Sequence, residues 1–178
     1  MLKQWNKLFQ TDCMVVSIGK KIVYPIFRVG STSLVYSCDR KYFNKEISKF
    51  ENIVVLLRDP LERFVSGLNK YCWQNKLDID ETWREVEQGR LMDRHFAPQY
   101  TWLLHLNIFH HGTVTLMPFK HIDRITNLHK IRDKEKQKQK VVSIPNLVDV
   151  DYQLIARIGQ TVNLDELIKD CRNALSQT

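Results

Sequence analysis

The sequence has few cysteines and no long apolar run. Its four cysteines, Cys13, Cys38, Cys72 and Cys171, form none of the close pairs that zinc ribbons and redox motifs use. We therefore expect reduced, mostly buried thiols. No stretch approaches the length of a membrane span, and the first residues lack the apolar core of a signal peptide. We expect a soluble, cytoplasmic protein without a membrane partner.

Acidic residues are fewer than basic ones, 20 against 27, which gives a net charge of +7. This excess favours an anionic partner. Lysines alternate with glutamate and glutamine between residues 130 and 140, a pattern typical of a solvated helix or loop. Because no aromatic residue interleaves this run, we do not expect nucleic-acid binding. With 43% hydrophobic residues in 178, the chain should form one core and a single domain over residues 1–178.

The first motif follows two short apolar segments, residues 15–18 and 22–27, which predict strands joined by a turn. The second strand leads into Gly30-Ser-Thr-Ser33, and a helix is predicted from Ser31 to about Tyr42. A turn of this composition can direct backbone N–H groups and hydroxyls at an anion beside the helix start.

The second motif follows an unbroken apolar run at residues 53–57, which is typical of a parallel strand buried on both faces. Arg58 ends this run. The segment Asp59-Pro-Leu-Glu62 then predicts a helix start, with aspartate as N-cap and proline at the first helical position. Ser66 lies two turns further on. A fixed guanidinium and a hydroxyl suit the binding of a dianionic phosphate.

The rest of the chain continues to alternate between strand and helix patterns. Helices are predicted at 80–88, from about 97 to 106 and from about 164, and strands at 113–117 and 141–144. The alternation predicts an α/β fold in which helices flank a small parallel β-sheet.

At these motifs the chain resembles the sulfotransferases, in particular the carbohydrate-type group with its short bacterial and phage-encoded relatives. The family's Pro-Lys-Thr-Gly-Ser-Thr-Ser corresponds to Phe27-Arg-Val-Gly-Ser-Thr-Ser33. Its Arg-Asp-Pro-x-x-Arg-x-x-Ser corresponds to the segment from Arg58 to Ser66, with Arg63 as the second arginine. A third element, His-Trp/Phe-x-Pro-Gln, corresponds to His95-Phe-Ala-Pro-Gln99. Joint occurrence in this order is far more specific than any one motif.

The resemblance implies a P-loop NTPase-like fold. It also implies that the donor is 3′-phosphoadenosine 5′-phosphosulfate (PAPS) and that its sulfuryl group moves to an acceptor hydroxyl, with a carbohydrate hydroxyl as the leading candidate. The product would be adenosine 3′,5′-bisphosphate (PAP), and no metal is implied. Arg58 and Ser66 would hold the 3′-phosphate. Arg28 takes the place of the family lysine that bridges sulfate and leaving phosphate. The 5′-phosphosulfate would be held by Arg28, Val29, Gly30, Ser31, Thr32 and Ser33.

Two residues are candidates for the base that removes the acceptor's proton. His95 comes first, because the pKa range of histidine suits the task and His95 belongs to the third element. Equally open is a purely local role for His95, in which it positions the helix that follows. Glu46 comes second, since some family members use a glutamate after the first helix. A solvated helix charge is the alternative for Glu46.

Two other classes of function fit parts of this sequence. A P-loop nucleotide kinase would need Gly-x-x-x-x-Gly-Lys-Ser/Thr, which the sequence lacks. A non-catalytic module could keep the pocket for PAPS or PAP, or use its basic surface for an anionic polymer. His105, His110 and His111 have no cysteine or carboxylate at ligand spacing, so no metal site is expected.

Overall fold

The computed structural model describes residue 9, residues 12–126 and residues 149–175. The lysine-rich run at 130–140 and the strand predicted at 141–144 lie outside the described residues, as does most of the N-terminal stretch. In the part of the chain that is described, no helix is long and apolar enough to cross a membrane. All four cysteines are free, and burial raises the pKa of Cys13 to about 12.

A six-stranded mixed sheet forms the framework, in the order β3-β1-β2-β4-β5-β6. The central strands β2, β4 and β5 are parallel, whereas β1, β3 and β6 run antiparallel to their neighbours. The strands are β1 Met14–Ile18, β2 Lys21–Tyr24, β3 Arg40–Phe43, β4 Asn52–Leu57, β5 Thr113–Pro118 and β6 Thr161–Asn163. The predicted α/β class is confirmed. The prediction of a purely parallel sheet is wrong, because the two-residue turn between β1 and β2 allows only an antiparallel hairpin.

A helix begins within each of the first two motifs, and a further helix ends the described residues. Those in the described residues are α1 Ser31–Tyr36, α2 Pro60–Asn75, α3 Ile79–Glu87, α4 Gln99–Asn107, α5 Asp149–Ile155 and α6 Leu164–Leu175. Two 3-10 helices span Asn44–Lys49 and Phe119–Arg124. The predicted helix from Ser31 ends at Tyr36 and not near Tyr42. Asp39 turns the chain back towards β1, because its carboxylate accepts a hydrogen bond from the Gly19 amide at 2.7 Å and its own amide donates to the Ser17 carbonyl.

Helix α2 and strand β4 place the second motif as its sequence predicts. Strand β4 is buried from Ile53 to Leu57. The Asp59 carboxylate accepts a hydrogen bond from the Glu62 amide at 2.9 Å, so the predicted N-cap is confirmed. Phe64 and Leu68 lie on the buried face of α2. Burying each such side chain stabilises the fold by about 1.5–3 kcal/mol. The core therefore fixes α2 against the sheet, with its polar face turned towards the motifs.

Candidate functional site

Beyond the carboxyl ends of β2 and β4 lies a cavity of about 840 Å³. This volume is in the range of pockets that hold nucleotide-sized ligands. Both strand-to-helix motifs contribute to its wall, and so do the middle of α2 and the 3-10 helix after β5. The lining residues are Phe27, Arg28, Gly30, Ser31, Thr32, Ser33, Leu57, Arg58, Asp59, Glu62, Lys70, Gln74, His95, Pro118, Phe119, Lys120, Ile122, Ile155 and Ile158.

Arg28 connects the two motifs directly. Its guanidinium donates to the Ser66 hydroxyl from Nε at 3.0 Å and from Nη2 at 2.6 Å. Arg58 lies beside this pair, with Nη1 3.5 Å from the Arg28 carbonyl oxygen and Nε 3.3 Å from the Glu62 carboxylate. The Arg58 guanidinium thus contacts the backbone of the first motif, and both arginines line the cavity. Such an arrangement can bind two anionic groups.

Gly30 precedes α1 in a left-handed conformation, with φ of +72°. A Cβ atom here would lie 2.3 Å from Ile122 Cδ1 and 2.9 Å from Phe119 Cε2, so a larger residue would displace these side chains and would also be strained by the positive φ. Residues 31–33 form the first turn of α1, and all three hydroxyl-bearing residues line the cavity. Val29 is different: its side chain is fully buried, and its amide donates to the Ile26 carbonyl at 3.2 Å.

Arg63 is buried behind the cavity and does not line it. Its Nε donates to the Phe27 carbonyl at 3.1 Å, and its Nη1 donates to the Ala97 carbonyl. Burial lowers the pKa of Arg63 to about 10, which still leaves the guanidinium charged at neutral pH. Arg63 therefore joins the chain just before Arg28 to the chain just after His95.

His95 lines the cavity next to a carboxylate. Its Nδ1 lies 2.6 Å from Asp93 Oδ1, and its backbone amide donates to the same oxygen at 2.8 Å. Burial tends to raise the pKa of Asp93, but the hydrogen bonds and positive charge of His95, together with Arg94, outweigh it and lower that pKa. When Nδ1 carries the proton it donates to Asp93, and Nε2 is then the proton acceptor. Sequence reasoning missed Asp93, although its position two residues before His95 was a usable signal.

The segment after His95 is fixed from two sides. Gln99 is buried and pairs with the backbone of Arg58: its Oε1 accepts from the Arg58 amide at 3.0 Å, and its Nε2 donates to the Arg58 carbonyl at 2.9 Å. The buried Asp151 carboxylate accepts from the amides of Gln99 at 2.7 Å and Tyr100 at 2.8 Å. The third motif is thus held to the second motif through Gln99.

Glu46 lies away from the cavity. Because α1 is short, Glu46 falls in the 3-10 helix after β3, where its carboxylate accepts from the Phe43 amide at 3.2 Å. Arg40 and Lys49 lie 3.7 Å and 3.9 Å from its other oxygen. Glu46 does not line the cavity, so we assign it no part in chemistry there.

Comparisons of the chain with protein-family models, curated proteins and solved structures found no match. Within the described ranges, no group of three or more histidine, cysteine, aspartate or glutamate side chains is placed to hold a metal ion.

Proposed function

We propose that this chain is a sulfotransferase that moves a sulfuryl group from PAPS to an acceptor hydroxyl, on a carbohydrate, and releases PAP. The observation that carries the proposal is that the cavity is lined by Arg28, Arg58, residues 30–33 and His95 together. These residues come from three separate motifs, and each has a distinct use in sulfuryl transfer.

The two arginines would bind different parts of the donor. Arg58 would bind the 3′-phosphate together with Ser66, whose hydroxyl accepts from Arg28 and can still donate its own proton to a phosphate oxygen. Arg28 and the hydroxyls of residues 31–33 would surround the 5′-phosphosulfate. The bond between Arg28 and Ser66 keeps the two phosphate sites at a fixed separation, as a bisphosphorylated nucleotide requires.

The reaction would be an in-line displacement at sulfur. The acceptor oxygen forms a bond to sulfur while the bond from sulfur to the phosphate oxygen of PAP breaks. His95 Nε2 takes the acceptor's proton, and the Asp93 carboxylate stabilises the resulting imidazolium. The leaving oxygen gains negative charge, which the Arg28 guanidinium and the first amides of α1 stabilise. A general base of this kind is worth about 10²–10⁴-fold in rate.

Binding of PAP provides the first test, measured by thermal shift and calorimetry. We expect Arg58→Ala to weaken PAP binding by at least about tenfold, because a charge-assisted hydrogen bond is lost. His95→Ala should bind PAP normally but lose turnover of radiolabelled PAPS with glycan acceptors. Arg84→Ala removes an exposed arginine of α3 and serves as the matched control. Stabilisation by ATP with magnesium, and none by PAP, would refute the assignment in favour of a nucleotide kinase.

A non-catalytic PAP-binding module is the second candidate, and the geometry of Arg28 favours it. Two nitrogens of that guanidinium already donate to Ser66, whereas turnover needs Arg28 to contact the leaving oxygen. Sulfation assays with PAPS and a panel of glycans, phenols and lipids as acceptors would distinguish the enzyme from the binding module. Tight PAP binding with no sulfated product from any acceptor would support the module and exclude the enzyme.

A further inference from the structure

A second, smaller cavity of about 90 Å³ shares the side chain of Phe27 with the large cavity. The centroid of the Phe27 ring lies 5.5 Å from that of His95 and 4.9 Å from that of Trp102. His95 lines the large cavity, whereas Trp102 lines the smaller one. Arg94, which immediately precedes His95, also lines the smaller cavity. The two cavities are therefore neighbours that have one aromatic ring in common.

Five aromatic side chains line the smaller cavity. They are Phe9, Tyr24, Phe27, Trp102 and His105. The Tyr24 hydroxyl and His105 Nδ1 lie 3.2 Å apart, so these two polar groups are paired with each other. The volume of about 90 Å³ is roughly that of three water molecules, at about 30 Å³ each in the liquid. The cavity therefore suits a molecule of the size of acetate or propionate, and a nucleotide is far too large for it.

The Trp102 indole carries an unused hydrogen-bond donor. Trp102 is 6% exposed, and among the described residues its buried Nε1 has no hydrogen-bond partner. An indole N–H can donate but cannot accept, so it needs an acceptor. Buried polar groups without a partner are rare in native proteins, because such a group loses its hydrogen bonds to water and gains none in return. A bound molecule with an acceptor atom would supply the missing partner.

Two residues of opposite charge, Asp12 and Arg94, also line the smaller cavity. Asp12 is exposed, and its Oδ1 already accepts a hydrogen bond from Asn44 Nδ2 at 2.7 Å. Arg94 is half-buried, with its guanidinium 5.5 Å from the centroid of the Phe9 ring. The nearby Asp93 carboxylate does not line this cavity. Because water screens an exposed charge more than a half-buried one, the positive charge of Arg94 dominates and favours an anionic acceptor.

We propose that the smaller cavity binds a short-chain carboxylate of the size of acetate or propionate. The carboxylate would accept hydrogen bonds from Trp102 Nε1 and from the Arg94 guanidinium. Its alkyl group would pack against the rings of Phe9 and Phe27, which removes apolar surface from water. This site is separate from the one proposed for PAPS, and the proposal does not depend on PAP binding.

Titration of the nitrogen-15-labelled protein with sodium propionate, at constant ionic strength, tests this site by NMR. The sequence has four tryptophans, and Trp102→Phe identifies the Trp102 indole N–H signal by its absence. We expect this signal to move downfield and to saturate with a Kd on the order of 1 mM, because the proton gains a charged acceptor. Propionamide has nearly the same shape and no charge, so it should bind at least about tenfold more weakly.

Two arginine variants show which cavity holds the propionate. Arg94→Met removes the guanidinium from the smaller cavity and should weaken propionate binding at least about tenfold. Arg58→Met removes a guanidinium from the large cavity and is the matched control, which should bind propionate like the wild type.

Three outcomes would each refute the site. They are a Trp102 signal that does not move, equal binding of propionate and propionamide, and the same propionate affinity in Arg94→Met and Arg58→Met. PAP is absent from these titrations, so their result is independent of the proposed function. A protein that fails to bind PAP would overturn the donor assignment, whereas Arg94-dependent binding of propionate would still support this site.

Discussion

The Asp151 carboxylate is completely buried against the first turn of α4, where it accepts two backbone hydrogen bonds. Burial raises the pKa of Asp151 from 3.8 to about 6, although those hydrogen bonds and the positive charge of Arg63 act in the opposite direction. The pKa is thus higher in the folded protein than in the unfolded chain. The contribution of this pKa shift to the free energy of unfolding is fully present below about pH 3.8 and is lost as the pH rises through about 6.

The size of this effect follows from the two pKa values. The difference between 3.8 and about 6 corresponds to roughly 3 kcal/mol in total, at about 1.4 kcal/mol per pKa unit. A little over 2 kcal/mol of this should be lost between about pH 4 and pH 7, since the unfolded carboxylate already titrates near the lower limit. Asp151→Asn places an amide there that does not titrate. Relative to that variant, the wild-type protein should therefore become less stable as the pH rises.

Urea unfolding of both proteins at several pH values between 4 and 7 measures this difference. Other titrating groups are common to the two proteins and cancel in the comparison. A difference in unfolding free energy that stays constant over the range, or that changes in the opposite direction, would refute the reasoning. Carbon-13 NMR of the Asp151 carboxyl group provides a second measurement on the wild type alone. Its midpoint should lie near pH 6.

Three further substitutions test the packing and hydrogen bonds of the site. Gly30→Ala should lower the unfolding free energy by about 2–4 kcal/mol, because overpacking adds to the cost of a positive φ. The control is Gly19→Ala, which should cost only about 1 kcal/mol because no atom lies within 4 Å of the added Cβ. Equal losses for the two variants in urea unfolding would contradict the close packing at Gly30. Ser66→Ala removes the acceptor of both Arg28 hydrogen bonds and should weaken PAP binding by about tenfold in calorimetry. An unchanged affinity would argue against a PAP site that Arg28 and Ser66 form together. Asp93→Asn should lower kcat for sulfation at least about tenfold while PAP affinity is kept. An unaltered kcat and pH profile would show that Asp93 does not assist the base.

The sequence predicts elements well where short-range chemistry determines them. Helix α2 begins at Pro60 because Asp59 caps it, and that information lies within four residues. Strand β3 is the opposite case. Residues 40–42 are predicted to end a helix, yet the structure places residues 40–43 in a strand that pairs with β1, with Val16 opposite Lys41. Strand formation at a sheet edge depends on a partner far away in the chain, which local patterns do not encode.

The same distinction holds for the site. The residues of the first two motifs lie together because the carboxyl ends of parallel strands meet at one edge of the sheet, which sequence reasoning could anticipate. Asp151 lies 52 residues after Gln99, and no spacing rule joins them. Its role depends on the position of α5 beside α4, which is a result of packing. The apolar wall from Phe119 and Ile122 is likewise visible only in three dimensions.

Arg28 shows how the loop before α1 can stay in a costly conformation. Its φ is +63°, and a residue with a Cβ atom pays about 1–2 kcal/mol there. The two hydrogen bonds to Ser66 are worth about 1 kcal/mol each, so they offset that cost. A lysine could not donate from two separate nitrogens to one hydroxyl. Arginine at this position therefore stabilises the loop and orients its own charge into the cavity, so less ordering is left for an anionic ligand to impose.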